Sequence, residues 1–170
     1  SDVCSSDLQH QVVKEGLFNM LQSRLDADYS EMDALDLFCG TGNITYEFAS
    51  RGMRSVTSVE IDFKCYEFIQ KSLAKFDLKQ CRIIRNDVFL FLKICKIKFD
   101  LIFADPPYEM PNISKIHSLV IERDLLKPGG LLIIEHGSKT KLNQLAHFIE
   151  ARNYGNVHFS IFKIDEQPAK

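Results

Sequence analysis

The residues with the most chemistry to offer are Asp105-Pro106-Pro107-Tyr108, which directly follow the apolar run 99–104. Two prolines after a strand stop further pairing and fix the backbone of a short rigid loop. Such a loop holds the Asp105 carboxylate and the Pro106 carbonyl as fixed acceptors, and leaves the Tyr108 ring to stack on a flat heterocycle. That arrangement suits an exocyclic amino group on a nucleobase. Its lone pair is delocalised into the ring, and two acceptors on its hydrogens favour the pyramidal form in which the lone pair can attack. Catalysis of this kind works by placement and electrostatics, and placement alone can contribute about 7–11 kcal/mol.

A second group of residues could hold a nucleoside. Asp36-Leu37-Phe38-Cys39-Gly40-Thr41-Gly42-Asn43 reads as a strand with an acidic residue near its end, then G-x-G, then a helix. Glycines at such a point let a ligand approach the backbone and allow a sharp turn. The third glycine of the dinucleotide fingerprint is absent, since Thr45 stands there, and this disfavours NAD. Glu60, at the tip of the next apolar run, is placed to accept both hydroxyl hydrogens of a ribose. Asp87, after a third run, suits either an adenine amino group or the N-cap of the following helix.

These groups require parallel strands whose carboxyl ends share one edge. From residue 34 on, apolar runs rich in branched residues alternate with amphipathic stretches, the mark of strand-helix units around a parallel sheet. We place strands at 34–38, 55–61, 82–86, 99–104 and 131–135, and helices at 43–50, 63–76, 88–95 and 113–126. Lys127-Pro128-Gly129-Gly130 is read as the stop of the last helix. In the tail, 142–148 reads as a short helix, while Val157, Phe159 and Ile161 alternate as an edge strand after the turn at 154–156. Residues 10–21 form an amphipathic helix with Val13, Leu17, Met20 and Leu21 on one face. Residues 1–9 join neither period and are expected to be a disordered or non-native leader. A single domain at 10–165 and a tail at 166–170 complete the organisation.

Composition narrows the classes. A chain of 170 residues with 45% hydrophobic content closes one core and is too short for two full domains. No window is long and apolar enough for a membrane span, and no basic-then-apolar leader opens the chain, so a cytoplasmic protein is expected. The five cysteines are an odd number without C-x-x-C or His at metal spacing, which implies reduced thiols and no metal site. A net charge of −2 argues against indiscriminate coating of nucleic acid. Phosphate contacts would then fall to local groups, Lys93, Lys96 and Lys98, or Lys139 and Lys141.

The runs DLFCGTGN, VEID, ND, FADPPY and KPGG resemble the class I methyltransferases that modify amino groups. More narrowly, the chain is similar over residues 12–163 to the 16S ribosomal RNA guanine-N2 methyltransferases of the RsmD type. Lys14-Glu15-Gly16-Leu17-Phe18-Asn19-Met20-Leu21 matches that family's helix motif, and Asn153-Tyr154-Gly155-Asn156 its tail. The resemblance implies an α/β Rossmann-like fold with a seven-stranded, mostly parallel sheet, a terminal antiparallel hairpin and helices on both faces. It implies S-adenosyl-L-methionine as methyl donor, bound by Asp36, Phe38, Gly40, Thr41, Gly42, Asn43, Glu60, Ile61, Asp87, Val88 and Asp105. The target amine falls to Asp105, Pro106, Pro107 and Tyr108, in 16S rRNA of the small subunit, with the protein acting as a monomer. The family's basic N-terminal hairpin is replaced here by SDVCSSDLQHQ. Two other readings share parts of this pattern: an adenine-N6 methyltransferase, which would find no room for a DNA recognition domain between Asp36 and Asp105, and a non-catalytic module on the same fold.

Overall fold

The computed structural model describes residues 2–25 and 28–166, with residues 2–10 described as backbone alone. Its centre is a seven-stranded sheet made of β1 (Asp33–Leu37), β2 (Ser55–Glu60), β3 (Cys81–Arg85), β4 (Phe99–Ala104), β5 (Leu126–His136), β6 (Phe148–Tyr154) and β7 (Val157–Lys163). The order is β3-β2-β1-β4-β5-β7-β6. The first five strands are mutually parallel, and β7 lies antiparallel between β5 and β6. Strand order reverses at β1 and β4, and in open α/β sheets the crevice at that point is where ligands bind.

Alternation along the inner strands divides the core into two layers. Ala34, Leu101, Phe103, Leu131 and Ile133 face one way, towards α1 (Asp2–Arg24), α2 (Asn43–Ser50) and α3 (Phe63–Lys75). Leu35, Leu37, Ile102, Ala104, Leu132 and Ile134 face the other way, towards α4 (Val88–Ile94) and α5 (Ser114–Glu122). Helices thus cover both faces, as class I methyltransferases have them. Fully buried Phe18, Phe48, Phe99 and Phe162 anchor the layers, and burial of such a side chain contributes about 1.5–3 kcal/mol.

Two of the helices that link parallel strands are started by an aspartate. Asp62 and Asp87 cap α3 and α4 by accepting from the Cys65 and Leu90 amides at 2.9 and 3.0 Å. At the end of the sheet remote from the ligand edge, Lys127 bonds Asp33 at 2.8 Å and Asp100 at 3.0 Å.

Helix α1 spans Asp2–Arg24, so its backbone reaches into the expected leader at 1–9. Two expectations are corrected. Helix α5 ends at Glu122, and Asp124 takes the left-handed φ of 55° that turns the chain. Lys127-Pro128-Gly129-Gly130 therefore lies inside β5, at a register shift against β4. A side chain at Gly130 would meet the Lys127 carbonyl oxygen at 2.8 Å, so this bulge requires glycine. Finally, 142–147 makes isolated turns, with His147 at φ 68°, and leads into β6. Leu142 and Leu145 pack against the α4–α5 layer as turns, and the left-handed His147 swings the chain into the strand. Of the expected tail at 166–170, only Glu166 is described.

Candidate active site

The loop between β1 and α2 is wound tightly and tied at both ends. Phe38, Gly40 and Gly42 all have positive φ, 58°, 56° and 92°. Gly40 donates its amide to Glu60 Oε1 at 2.9 Å, and Gly42 donates to the Cys39 carbonyl at 2.9 Å. A Cβ on Gly40 would meet nothing within 4 Å, so the backbone there is open to a ligand. A Cβ on Gly42 would lie 3.1 Å from the Tyr46 ring and 3.2 Å from Ile69. One glycine leaves room for a ligand and the other leaves room for the core.

Glu60 is the hub of this loop. Its second oxygen accepts from the amides of Ile61 at 2.8 Å and Asp62 at 3.2 Å. An ionised carboxylate offers about four acceptor sites, so capacity remains for a ribose hydroxyl.

Beneath the loop, Asp36 is buried and accepts from Thr45 Oγ1 at 2.7 Å, and that hydroxyl also pairs with Ser58 at 2.7 Å. Burial pushes the Asp36 carboxyl up to about 7, with the charges of Asp105 and Glu60 adding to it against the Thr45 hydrogen bond. Thr45 occupies the place of the missing third glycine and fastens α2 to β1.

A cleft of about 490 Å³ opens over Phe38, Gly40, Glu60 and Ile61 on one side and Asn86, Asp87 and Val88 on another. Its remaining wall is Asp105, Pro106, Pro107, Tyr108 and Met110. Asp87 lines it while also capping α4, so the cap does not remove its carboxyl from the cleft wall. A neighbouring cavity of about 370 Å³ is lined by Lys14 and Leu17 of α1, Asn43 and Ile44 of α2, Phe103, Asp105, Glu135 and Phe159. Asp105 borders both spaces. Asp36, Thr41 and Gly42 line neither: Asp36 and Gly42 lie beneath the loop, and Thr41 faces solvent.

The Asp105 loop is fixed by its ends. The Asp105 amide donates to the Leu37 carbonyl at 3.2 Å, and Met110 closes a turn on Pro107 at 2.9 Å. Tyr108 is 47% exposed, with its hydroxyl 3.4 Å from Glu135. Burial first, then the negative charges of Glu135 and Asp105, push the Tyr108 phenol up to about 12, so it stays a neutral donor.

Among the described residues no cluster of His, Cys, Asp and Glu could hold a metal, and no helix is long and apolar enough to cross a membrane. Cys39, Cys81 and Cys95 are buried and unpaired, and burial pushes the Cys39 thiol up, away from any nucleophilic role. The lysines divide by location. Lys139 and Lys141 follow β5 on the edge that carries the cleft, and Lys141 lines a shallow pocket beside Met110. Lys98 precedes β4, so about 20 Å of strand separates it from Asp105, and it pairs with Asp124 at 2.5 Å.

Comparison with known proteins agrees with this layout. The model of the family described as "Conserved hypothetical protein 95" matches residues 9–163. The chain belongs to this family. It is 30% identical over 158 residues to a protein of Bacillus subtilis named as a putative rRNA methyltransferase, covering 89% of this chain and 84% of that one. It is 31% identical over 133 residues to the ribosomal RNA small subunit methyltransferase D of Buchnera aphidicola, covering 78% of this chain and 65% of the relative. The chain thus spans just under two thirds of that relative's length. A solved structure described as a putative methylase of Haemophilus influenzae superposes with a TM-score of 0.79 at 27% identity, covering 93% and 99% of the two chains. An RNA methyltransferase of Salinibacter ruber, solved in complex with S-adenosyl-L-homocysteine, shares the fold, with a TM-score of 0.67 at 15% identity over 91% of this chain and 94% of that one.

Within this family's frame, Glu135 is the site residue that motif reading passed over. Its signal was present: like Glu60 and Asp105, it closes an apolar strand run with a carboxylate, here Leu131-Leu132-Ile133-Ile134-Glu135. Asn86 and Met110 also line the cleft without having been singled out as donor or amine ligands.

Proposed function

We propose that the chain transfers a methyl group from S-adenosylmethionine to the exocyclic N2 amine of a guanine in 16S ribosomal RNA, acting as a cytoplasmic monomer on the small subunit without a metal. The observation that carries this reading is that Asp105 borders both cavities, so the glycine-loop cleft and the amine acceptors open on one point. The curated relatives named as small subunit methyltransferases support the RNA substrate.

The residues present fit the donor. Open space at Gly40 admits a ligand against the backbone, Glu60 keeps acceptor capacity for a ribose, and Asp87 stands at the cleft wall for an adenine amine. When bound, the donor supplies an electrophilic methyl group on sulfonium. Asp105 and the Pro106 carbonyl would accept the two N–H groups of the target amine and favour its pyramidal form. Tyr108 would stack on the everted base, and eversion costs least where the base is already unstacked.

Labelled-methyl transfer to small subunits, naked 16S RNA and duplex DNA, followed by mass spectrometry of the nucleosides, tests the reading. N2-methylguanosine formed on small-subunit RNA is the expected product. Methyladenine, or a preference for DNA, overturns it.

A further inference from the structure

We propose that Glu135 is a positioning residue for methyl transfer: in its neutral acid form it donates a hydrogen bond to the Asp105 carboxylate and holds that group towards the amine. The two residues follow the paired positions Ala104 and Ile134 at the carboxyl ends of neighbouring strands β4 and β5. They are therefore one register step further along, on the same face of the sheet, about 4.8 Å apart across the strands. Both line the cavity of about 370 Å³ next to the glycine-loop cleft. Tyr108 donates to the outer side of Glu135 at 3.4 Å.

Glu135 is half-buried and Asp105 exposed beside it, and two carboxyl groups on one cavity wall resist ionising together. Burial first, then the hydrogen bond to Asp105 and its charge, pushes the Glu135 carboxyl up to about 9, and only the Tyr108 hydrogen bond opposes this. Of the groups facing the pair from other elements, Lys14 on α1 lines the same cavity but pairs with Glu47 of α2 at 3.4 Å, and buried Asp36 of β1 is close enough to feel the Asp105 charge. The opposing position on β7 is Phe159, which carries no charge. With the proton on Glu135, one Asp105 oxygen is engaged by Glu135, and the other remains for an amine hydrogen.

The inference rests on the methyltransferase reading only in assigning the amine to Asp105. The test combines a readout that needs no substrate with one that does. Carbon-13 NMR of the side-chain carboxyls should show Glu135 protonated at pH 7 and titrating near 9. In the transfer assay, Glu135→Gln keeps a neutral donor and should retain kcat within about 3-fold, whereas Glu135→Ala should lose about 10-fold to 100-fold in kcat with little change in KM. The unmutated protein should lose activity above pH 9 as Glu135 ionises, and Glu135→Gln should not. Melting curves and donor calorimetry on both variants separate misfolding from lost positioning. Titration of Glu135 in the ordinary carboxylate range, or a Gln variant as inactive as the Ala variant, overturns the proposal. Absence of transfer by the unmutated protein overturns the function instead, and the NMR titration still decides the state of Glu135.

Discussion

Replacing each glycine of the β1–α2 loop by alanine should separate ligand space from fold space. Both glycines are left-handed, and an L-residue there costs about 1–2 kcal/mol. At Gly42 the added methyl also lies 3.1 Å from Tyr46 and 3.2 Å from Ile69, and overpacking of that kind adds about 1–3 kcal/mol. Gly42→Ala should thus cost about 2–5 kcal/mol, a fall in Tm of about 4–20 °C for a domain of this size. Gly40→Ala carries the backbone cost alone, about 2–8 °C, because its Cβ meets nothing within 4 Å. The space it enters belongs to the donor cleft. One methyl forced into a packed contact there should weaken donor binding by about 5-fold to 150-fold. Thermal unfolding without ligand, and calorimetry with S-adenosylmethionine and its demethylated product below both melting ranges, measure the two effects. If Gly40→Ala binds the donor as tightly as the unmutated protein and Gly42→Ala melts no lower than Gly40→Ala, the division of the loop is wrong.

Asp105→Ala should abolish methyl transfer while leaving donor affinity within about a few-fold, and Tyr108→Ala should raise KM for RNA, since stacking contributes about 1–3 kcal/mol per base; turnover and calorimetry on both variants check this. Because burial raises the Asp36 carboxyl from 3.8 to about 7, the folded state binds a proton more tightly than the unfolded chain there. Its stability contribution is complete below pH 4 and is lost as pH rises through 7. Denaturant unfolding from pH 4 to 8 should show this decline in the unmutated protein and a flatter profile in Asp36→Asn; identical profiles would refute it. Lys141→Ala should raise KM for RNA and reduce the salt dependence of methylation, whereas Lys98→Ala, at the far end of β4, should change neither.

The central strands were legible because each is a short apolar run set between amphipathic stretches, and helices that start at an Asp cap began where expected, as Asp62 and Asp87 show. The glycine loop and the Asp105 loop were legible because their backbones constrain which residues can stand there. Harder to read were positions that satisfy two patterns at once. Leu125 and Leu126 continue the apolar face of α5 and equally begin a strand, so the glycines after them looked like a helix stop when they form a bulge. Glu135 belongs to no short motif, and its role depends on β5 lying beside β4, which only the pairing establishes. Lys93, Lys96 and Lys98 were grouped by closeness in sequence and offered as phosphate contacts alongside Lys139 and Lys141, although Lys98 directly precedes β4 and so lies at the opposite end of the sheet from Asp105.

The placement of β7 between β5 and β6 orders events during synthesis. Until residue 163 has left the ribosome, β5 has no partner on that side, and its apolar edge is open to pairing with another chain. Helix α1 packs against elements made well after it: Gly16 lies against the Tyr154 ring, and Leu17 shares its cluster with Phe159 and Ile161. The cavity beside Asp105 and Glu135 has Lys14 on one wall and Phe159 on another, whereas every residue lining the glycine-loop cleft precedes position 111. A nascent chain therefore has every cleft residue, the Asp105 loop included, in hand well before Glu135 and Phe159 can complete the second cavity.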